Sequence, residues 1–144
     1  MIKTTAKLAV TVAFAVGTMS ASAAIFDGSK PLLCALQHVT ECETGAECMS
    51  VWTQEVNAPD FLQVDVTNKV ISATPEAGTG RTTPIERSEH LDGKLVLQGA
   101  DDGVEGVRDG LAWSMVIDDS TGKMIISAAG DGVAFAVFGA CTLR

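Results

Sequence analysis

The chain has little of what catalysis usually needs. Only two histidines occur, His38 and His90, and there is no G-x-S-x-G elbow, H-E-x-x-H pair, P-loop or dinucleotide glycine fingerprint. Nucleophilic chemistry has few parts to draw on, and no cofactor is implied. Cationic residues are also scarce, with 10 lysines and arginines against 18 acidic residues. That balance excludes a basic nucleic-acid footprint. No linker or internal repeat divides the chain. The apolar run Leu8 to Met19 is too short to cross a bilayer as a helix.

That run reads instead as the core of a secretory signal peptide occupying residues 1–23. Lys3 and Lys7 supply its positive start, and Ala21-Ser22-Ala23 the small-x-small cleavage pattern, so Ala24 is the expected first mature residue. The nearest cysteine to that point is Cys34, which argues against lipidation. The expected product is exported, periplasmic or extracellular, and has no membrane anchor. Residues 24–144, about 120 of them, suit a single β-rich domain. Lys3 and Lys7 leave with the signal while all 18 acidic residues stay, so the net charge of −8 becomes −10. An acid excess of this size keeps a protein soluble and steers cationic partners toward it.

All four cysteines, Cys34, Cys42, Cys48 and Cys141, lie in the mature segment. An even count in an oxidising compartment predicts two disulfides, with three possible connectivities. The flexible stretch Glu43-Thr44-Gly45-Ala46-Glu47 favours local closure of Cys42 with Cys48, which leaves Cys34 for Cys141. The spacings lack the paired C-x2-C knuckles of a structural zinc site, so no metal is expected.

Ser29 to Val39 carries apolar residues at Leu32, Leu36 and Val39, with Ser29 as a cap and Pro31 in the first turn. These predict one short N-terminal helix. From Asp60 onward the period is two. Leu62, Val64 and Val66 alternate with polar residues, as do Leu111, Trp113, Met115 and Ile117, then Lys123 to Ala128 and Val133 to Phe138. Six or seven strands at hairpin spacing predict a mainly β fold. A small antiparallel β-barrel or strongly coiled meander sheet is expected, stapled by disulfides, with a β-sandwich as the alternative.

One polar constellation is a candidate ligand site. A two-residue turn at Asp92-Gly93 pairs His90 with Leu95 and Ser88 with Leu97, which carries Glu86, Ser88 and His90 to the apolar face. There they would line a pocket; a register shifted by one would leave them in an exposed loop. The acidic groups Asp101-Asp102, Glu105, Asp109 and Asp118-Asp119 read as solvated loops and match no calcium pattern. Trp113 is expected in the core, whereas Trp52 either packs the disulfide region or marks an exposed contact.

The run Ala112-Trp113-Ser114, Ile117-Asp118, Thr121-Gly122, Gly130-Asp131-Gly132-Val133-Ala134-Phe135 and Val137-Phe138-Gly139-Ala140-Cys141 resembles small exported bacterial proteins of an uncharacterised family. Leu33-Cys34-Ala35, the Cys42 to Cys48 spacing and Pro59-Asp60-Phe61-Leu62 are similar too. The resemblance implies export and assigns no catalytic residue. The expected function is a noncatalytic binding protein of the bacterial cell envelope, taking a small ligand or a protein partner. The alternatives are a small carboxylate-dependent hydrolase, using Asp118 with Asp119 or Glu86 with His90, and an inhibitor of a cationic secreted enzyme such as a lysozyme.

Overall fold

The computed structural model describes residues 24–77, 80–103, 106–107 and 109–144. Residues 1–23, the expected signal segment, and Glu105 lie outside them. The alternation along the chain resolves into ten strands: β1 Leu32–Glu43, β2 Met49–Val51, β3 Phe61–Asp65, β4 Val70–Ala73, β5 Thr82–Pro84, β6 Arg87–Leu91, β7 Lys94–Asp101, β8 Leu111–Asp118, β9 Lys123–Gly130 and β10 Val133–Leu143. All belong to one antiparallel sheet in the order β5-β4-β3-β1-β10-β9-β8-β7-β6, with β2 beside the far half of β1. The sheet curls into a half-barrel, so the sandwich alternative does not describe it.

The two end strands of the curl, β5 and β6, are consecutive in sequence, and the chain joins them through Ile85 and Glu86. Ile85 N–H donates to Lys69 O on one side, and Glu86 N–H to Gln98 O on the other. One segment therefore serves both edges. Pro84, which has no N–H to give a ladder, sits where β5 pairs on one side only, as an edge proline should.

Residues 29–39, expected as a helix, are not helical, and Leu32–Glu43 is a strand between β3 and β10. The helical spacing has a simple origin. Leu32, Cys34 and Leu36 face inward with the ordinary two-residue period, and the β1–β10 register then slips between Leu36 and His38. Gln37 is the extra residue of this bulge. It moves the next inward position from His38 to Val39, which is buried, so 32, 36 and 39 mimic one helix face.

Inside the curl, Leu32, Val64, Ile71, Leu95, Leu97, Met115, Ile117 and Met124 form one buried cluster. Each fully buried side chain of this kind contributes roughly 1.5–3 kcal/mol. Trp113 packs against the cluster half-buried, and its indole Nε1 donates to Thr83 Oγ1 at 3.1 Å. The disulfides are Cys34–Cys141 and Cys42–Cys48. Cys34 and Cys141 are direct register partners on β1 and β10, so this bridge staples neighbouring strands within the core.

Candidate functional site

The hairpin order gives the curl two unlike ends. At one end lie the start of β1, the β3–β4, β6–β7 and β8–β9 turns and the chain end at Arg144. The N-terminal residues 24–31 cross this end. Ile25 and Phe26 both donate their N–H to Asp119 O, at 2.8 and 2.9 Å, and Phe26 packs against the core. Gly28 adopts φ 78°, and a Cβ there would meet Val66 and Leu95 at 2.8 and 3.0 Å, so the strap lies tight against the interior. Asp27 accepts the Ser29 N–H at 2.9 Å; the Ser29 hydrogen bonds hold its carboxyl below the usual range, with a smaller contribution from the charge of His90.

The opposite end carries no such strap among the described residues and is the open end. The loop after β2 folds back on itself there, with Thr53 Oγ1 donating to Asp60 Oδ1 at 2.5 Å and Gln54 Nε2 to the same oxygen at 2.8 Å. Beside this loop lies a cleft of about 180 Å3, with Val56, Pro59, Leu62, Ile71 and Leu111 as its apolar wall and Arg81, Thr82, Thr83 and Asp101 as its polar side. Arg81 Nη2 meets Asp101 Oδ1 at 3.2 Å across the seam between β5 and β7. Pairs this exposed contribute about 0–1 kcal/mol, so the bridge acts mainly by orienting the two side chains. Thr83 Oγ1 continues the network by donating to Ala100 O at 2.9 Å.

Charge divides sharply between the ends. Glu43, Glu47, Glu55, Asp101, Asp102, Asp109 and Asp131 stand on the strand ends and loops of the open end, where Arg81 and Arg87, the first residue of β6, are the cations among the described residues, while Glu76 shares a cleft with Arg144. Lys30, Lys69, Lys94, Lys123 and Arg144 stand at the strapped end, balanced by Asp27, Asp65, Asp92, Asp118 and Asp119. The acid excess of the domain is therefore gathered around the mouth.

The β6–β7 register is the expected one, with Ser88 opposite Leu97 and His90 opposite Leu95. Asp92 and Gly93 adopt φ 49° and 71°, the conformation that a two-residue I′ turn requires. The side chains expected to be buried there are nevertheless exposed. All five residues of β6 and Glu86 are exposed, because β6 is an end strand with no element packed over it. Glu86, Ser88 and His90 share one side of the sheet with Leu95 and Leu97 and line none of the cleft at the mouth.

Asp118 has a structural use. Its Oδ1 accepts from Ser120 N and Oγ at 3.1 and 2.7 Å, and from Thr121 N and Oγ1, both at 2.8 Å. These bonds, the side-chain ones first, lower its pKa to about 2. A carboxyl held that firmly ionised ties down the β8–β9 turn and is ill-suited to proton transfer at neutral pH. Among the described residues no three His, Cys, Asp or Glu side chains converge as metal ligands would.

Reading the sequence missed Arg81, Thr83, Leu111 and Val56 as neighbours, since they come from three distant segments. The one hint was Arg81, a lone cation closing a glycine-rich loop. Trp52 is 74 % exposed, which places it on the surface. Comparison with protein-family models, curated proteins and solved structures finds no match to this chain.

Proposed function

We propose that this is a noncatalytic, exported binding protein of the cell envelope whose acidic open end receives a cationic protein partner. The observation that carries the reading is the segregation of charge. A −10 domain with its acid spread evenly would be explained by solubility alone, whereas an acid mouth opposite a balanced end creates a directed field that orients an approaching cation. The cleft supplies the second part. At about 180 Å3 it is smaller than the roughly 300–1,000 Å3 of sites that enclose a whole small ligand. One aliphatic side chain of a partner fits against Leu62, Ile71 and Leu111, while the partner's cations face the acids of the surrounding rim. An exported cationic enzyme is one partner of this chemistry.

The test uses fluorescein-labelled oligolysine as the cationic probe, followed by anisotropy at low and physiological salt. Binding should weaken as salt rises, and Asp102→Lys with Asp131→Lys should remove most of it. The charge-matched reversal at the strapped end, Asp92→Lys with Asp119→Lys, should leave it unchanged. Equal loss from both reversals would reduce the effect to net charge and sink the proposal.

A further inference from the structure

Of the large apolar side chains among the described residues, Trp52 is the most exposed, yet its backbone is fixed. Its N–H donates to Glu55 Oε2 at 2.6 Å and its carbonyl accepts the Glu55 N–H at 3.0 Å, so a tight turn presents the ring to solvent. We propose that this ring and the cleft beside it bind an extended, uncharged glycan of β-1,4-linked pyranose units. The inference does not depend on the acid mouth having a partner.

The cleft arises where β1 changes partners. β3 pairs with β1 from Leu32 to Ala35 and β2 pairs with it from Val39 to Glu41, which leaves the Gln37 bulge between them with no strand alongside. The loop after β2 closes only part of this gap. Leu36 N–H donates to Asp60 O at 2.9 Å, and a cleft of about 200 Å3 remains, lined by Gln37, His38, Trp52, Thr53, Gln54 and Asp60. Thr53 and Gln54 both donate to Asp60 Oδ1, so Asp60 Oδ2 and Gln54 Oε1 have no donor among the described residues. Two hydroxyls lie beside them, with Thr40 Oγ1 and Ser50 Oγ at 3.4 and 3.5 Å from the His38 ring nitrogens. Contacts this long leave the hydroxyls open to a shorter bond.

An aromatic row leads away from the cleft. Trp52 follows Val51, the partner of Val39, and so stands level with His38, whose partner on β10 is Phe138. The His38 and Phe138 rings are 6.1 Å apart, and Phe138 is 42 % exposed. At about 4.8 Å per strand, the row from Trp52 through His38 to Phe138 spans about 10 Å, close to the length of two linked pyranose units. A ligand one sugar wide touches only these neighbouring strands, so the outer curve of the sheet does not oppose it.

A β-linked pyranose chain has apolar C–H faces and a rim of hydroxyls. The faces stack on aromatic rings and the hydroxyls pair with neutral donors and acceptors, and the cleft offers both together. An apolar peptide or lipid tail would leave Gln54 Oε1 and Asp60 Oδ2 facing it unpaired. Nucleic acid bases would stack on Trp52, but a chain of net charge −8 repels their phosphates. A cleft of about 200 Å3 is below the size that encloses a whole ligand, so it takes one ring and the rest of the glycan lies along the row.

Cellohexaose and chitohexaose are the probes. In proton–nitrogen correlation spectra the Trp52 indole signal should shift saturably with at least one of them, while the Trp113 indole, bonded to Thr83 Oγ1, stays in place as the internal reference. Calorimetric titration should show Trp52→Ala weakening the affinity by about tenfold or more, the usual loss when a stacked ring is removed, at an unchanged melting temperature. Trp52→Phe should recover part of that loss, and Phe138→Ala should weaken the hexamer severalfold. Binding should not respond to salt or to Asp102→Lys with Asp131→Lys, which separates it from cation binding at the mouth. A Trp52 indole that neither hexamer moves up to its solubility limit overturns the proposal, even if this face then takes up lipid vesicles or a peptide. So does an affinity that Trp52→Ala leaves intact, or a shift confined to the Trp113 indole.

Discussion

Removing the two disulfides separately should cost very different amounts, because they close loops of very different length. Cys34–Cys141 spans 107 residues and Cys42–Cys48 spans 6. In the chain-entropy treatment these separations correspond to about 4.8 and about 2.2 kcal/mol at room temperature. The long bridge also lies in the core, with Cys34 at 0 % and Cys141 at 7 % exposure, so Cys34→Ala/Cys141→Ala leaves small voids that add about 1 kcal/mol. Cys48 is exposed and Cys42 only half-buried, so Cys42→Ala/Cys48→Ala carries little such addition. A domain of about 120 residues has an unfolding entropy near 250 cal/mol/K, so each kcal/mol shifts the melting temperature by about 4 °C. Thermal melts followed by circular dichroism should therefore show a drop of about 20 °C or more for the 34/141 pair and about 9 °C for the 42/48 pair. Equal drops, or a larger one for the short loop, would refute the reasoning and locate the stabilisation in local geometry instead of loop closure.

Other consequences can be measured as directly. Trp113→Ala should destabilise the fold by about 3 kcal/mol in urea titrations, the low end for a large aromatic because the ring is only half-buried; an unchanged midpoint would mean that β8 does not lean on it. Gly99→Ala would press a Cβ onto Pro84 O and the Trp113 ring, and should cost about 1–3 kcal/mol by forcing apart the β5–β7 seam. Asp118 should titrate by NMR near pH 2. Its folded pKa lies below the ordinary value, so its contribution is complete above about pH 4 and fades as pH falls through 2; Ser120→Ala with Thr121→Val should move the midpoint back toward the usual carboxylate range. His90 should react readily with diethyl pyrocarbonate in the native state, and strong protection would contradict its exposed place on β6.

What could be read from the sequence was local and periodic. The alternation of Leu111, Trp113, Met115 and Ile117 fixes one face of β8 whatever lies beside it, and Asp92-Gly93 sets the β6–β7 register because a two-residue turn leaves no freedom. The same reasoning failed at β1, where one inserted residue, Gln37, converts a period of two into a spacing that counts as helical. A bulge is invisible until the partner strand is known. His90 failed for a related reason. Its register shows which side of the sheet it takes, but burial depends on whether another element covers that side, and β6 proves to be an end strand.

The candidate site required topology before it could be seen at all. No stretch of sequence marks Glu43, Asp102 and Asp131 as belonging to one end, since they follow or end β1, β7 and β9, far apart along the chain. Once the hairpins are ordered, each strand reversal assigns its loop to one end or the other, and the acids and lysines sort themselves accordingly. The strap of residues 24–31 then decides which end can receive anything: Phe26 and Gly28 close the balanced end against the core, so the mouth that remains is the acidic one. Removing the strap's anchor separates these two features. Phe26→Ala should loosen the closed end and lower stability while leaving salt-sensitive binding of a cationic probe at the mouth intact; loss of that binding would mean that the strap, and not the charge at the open end, shapes the site.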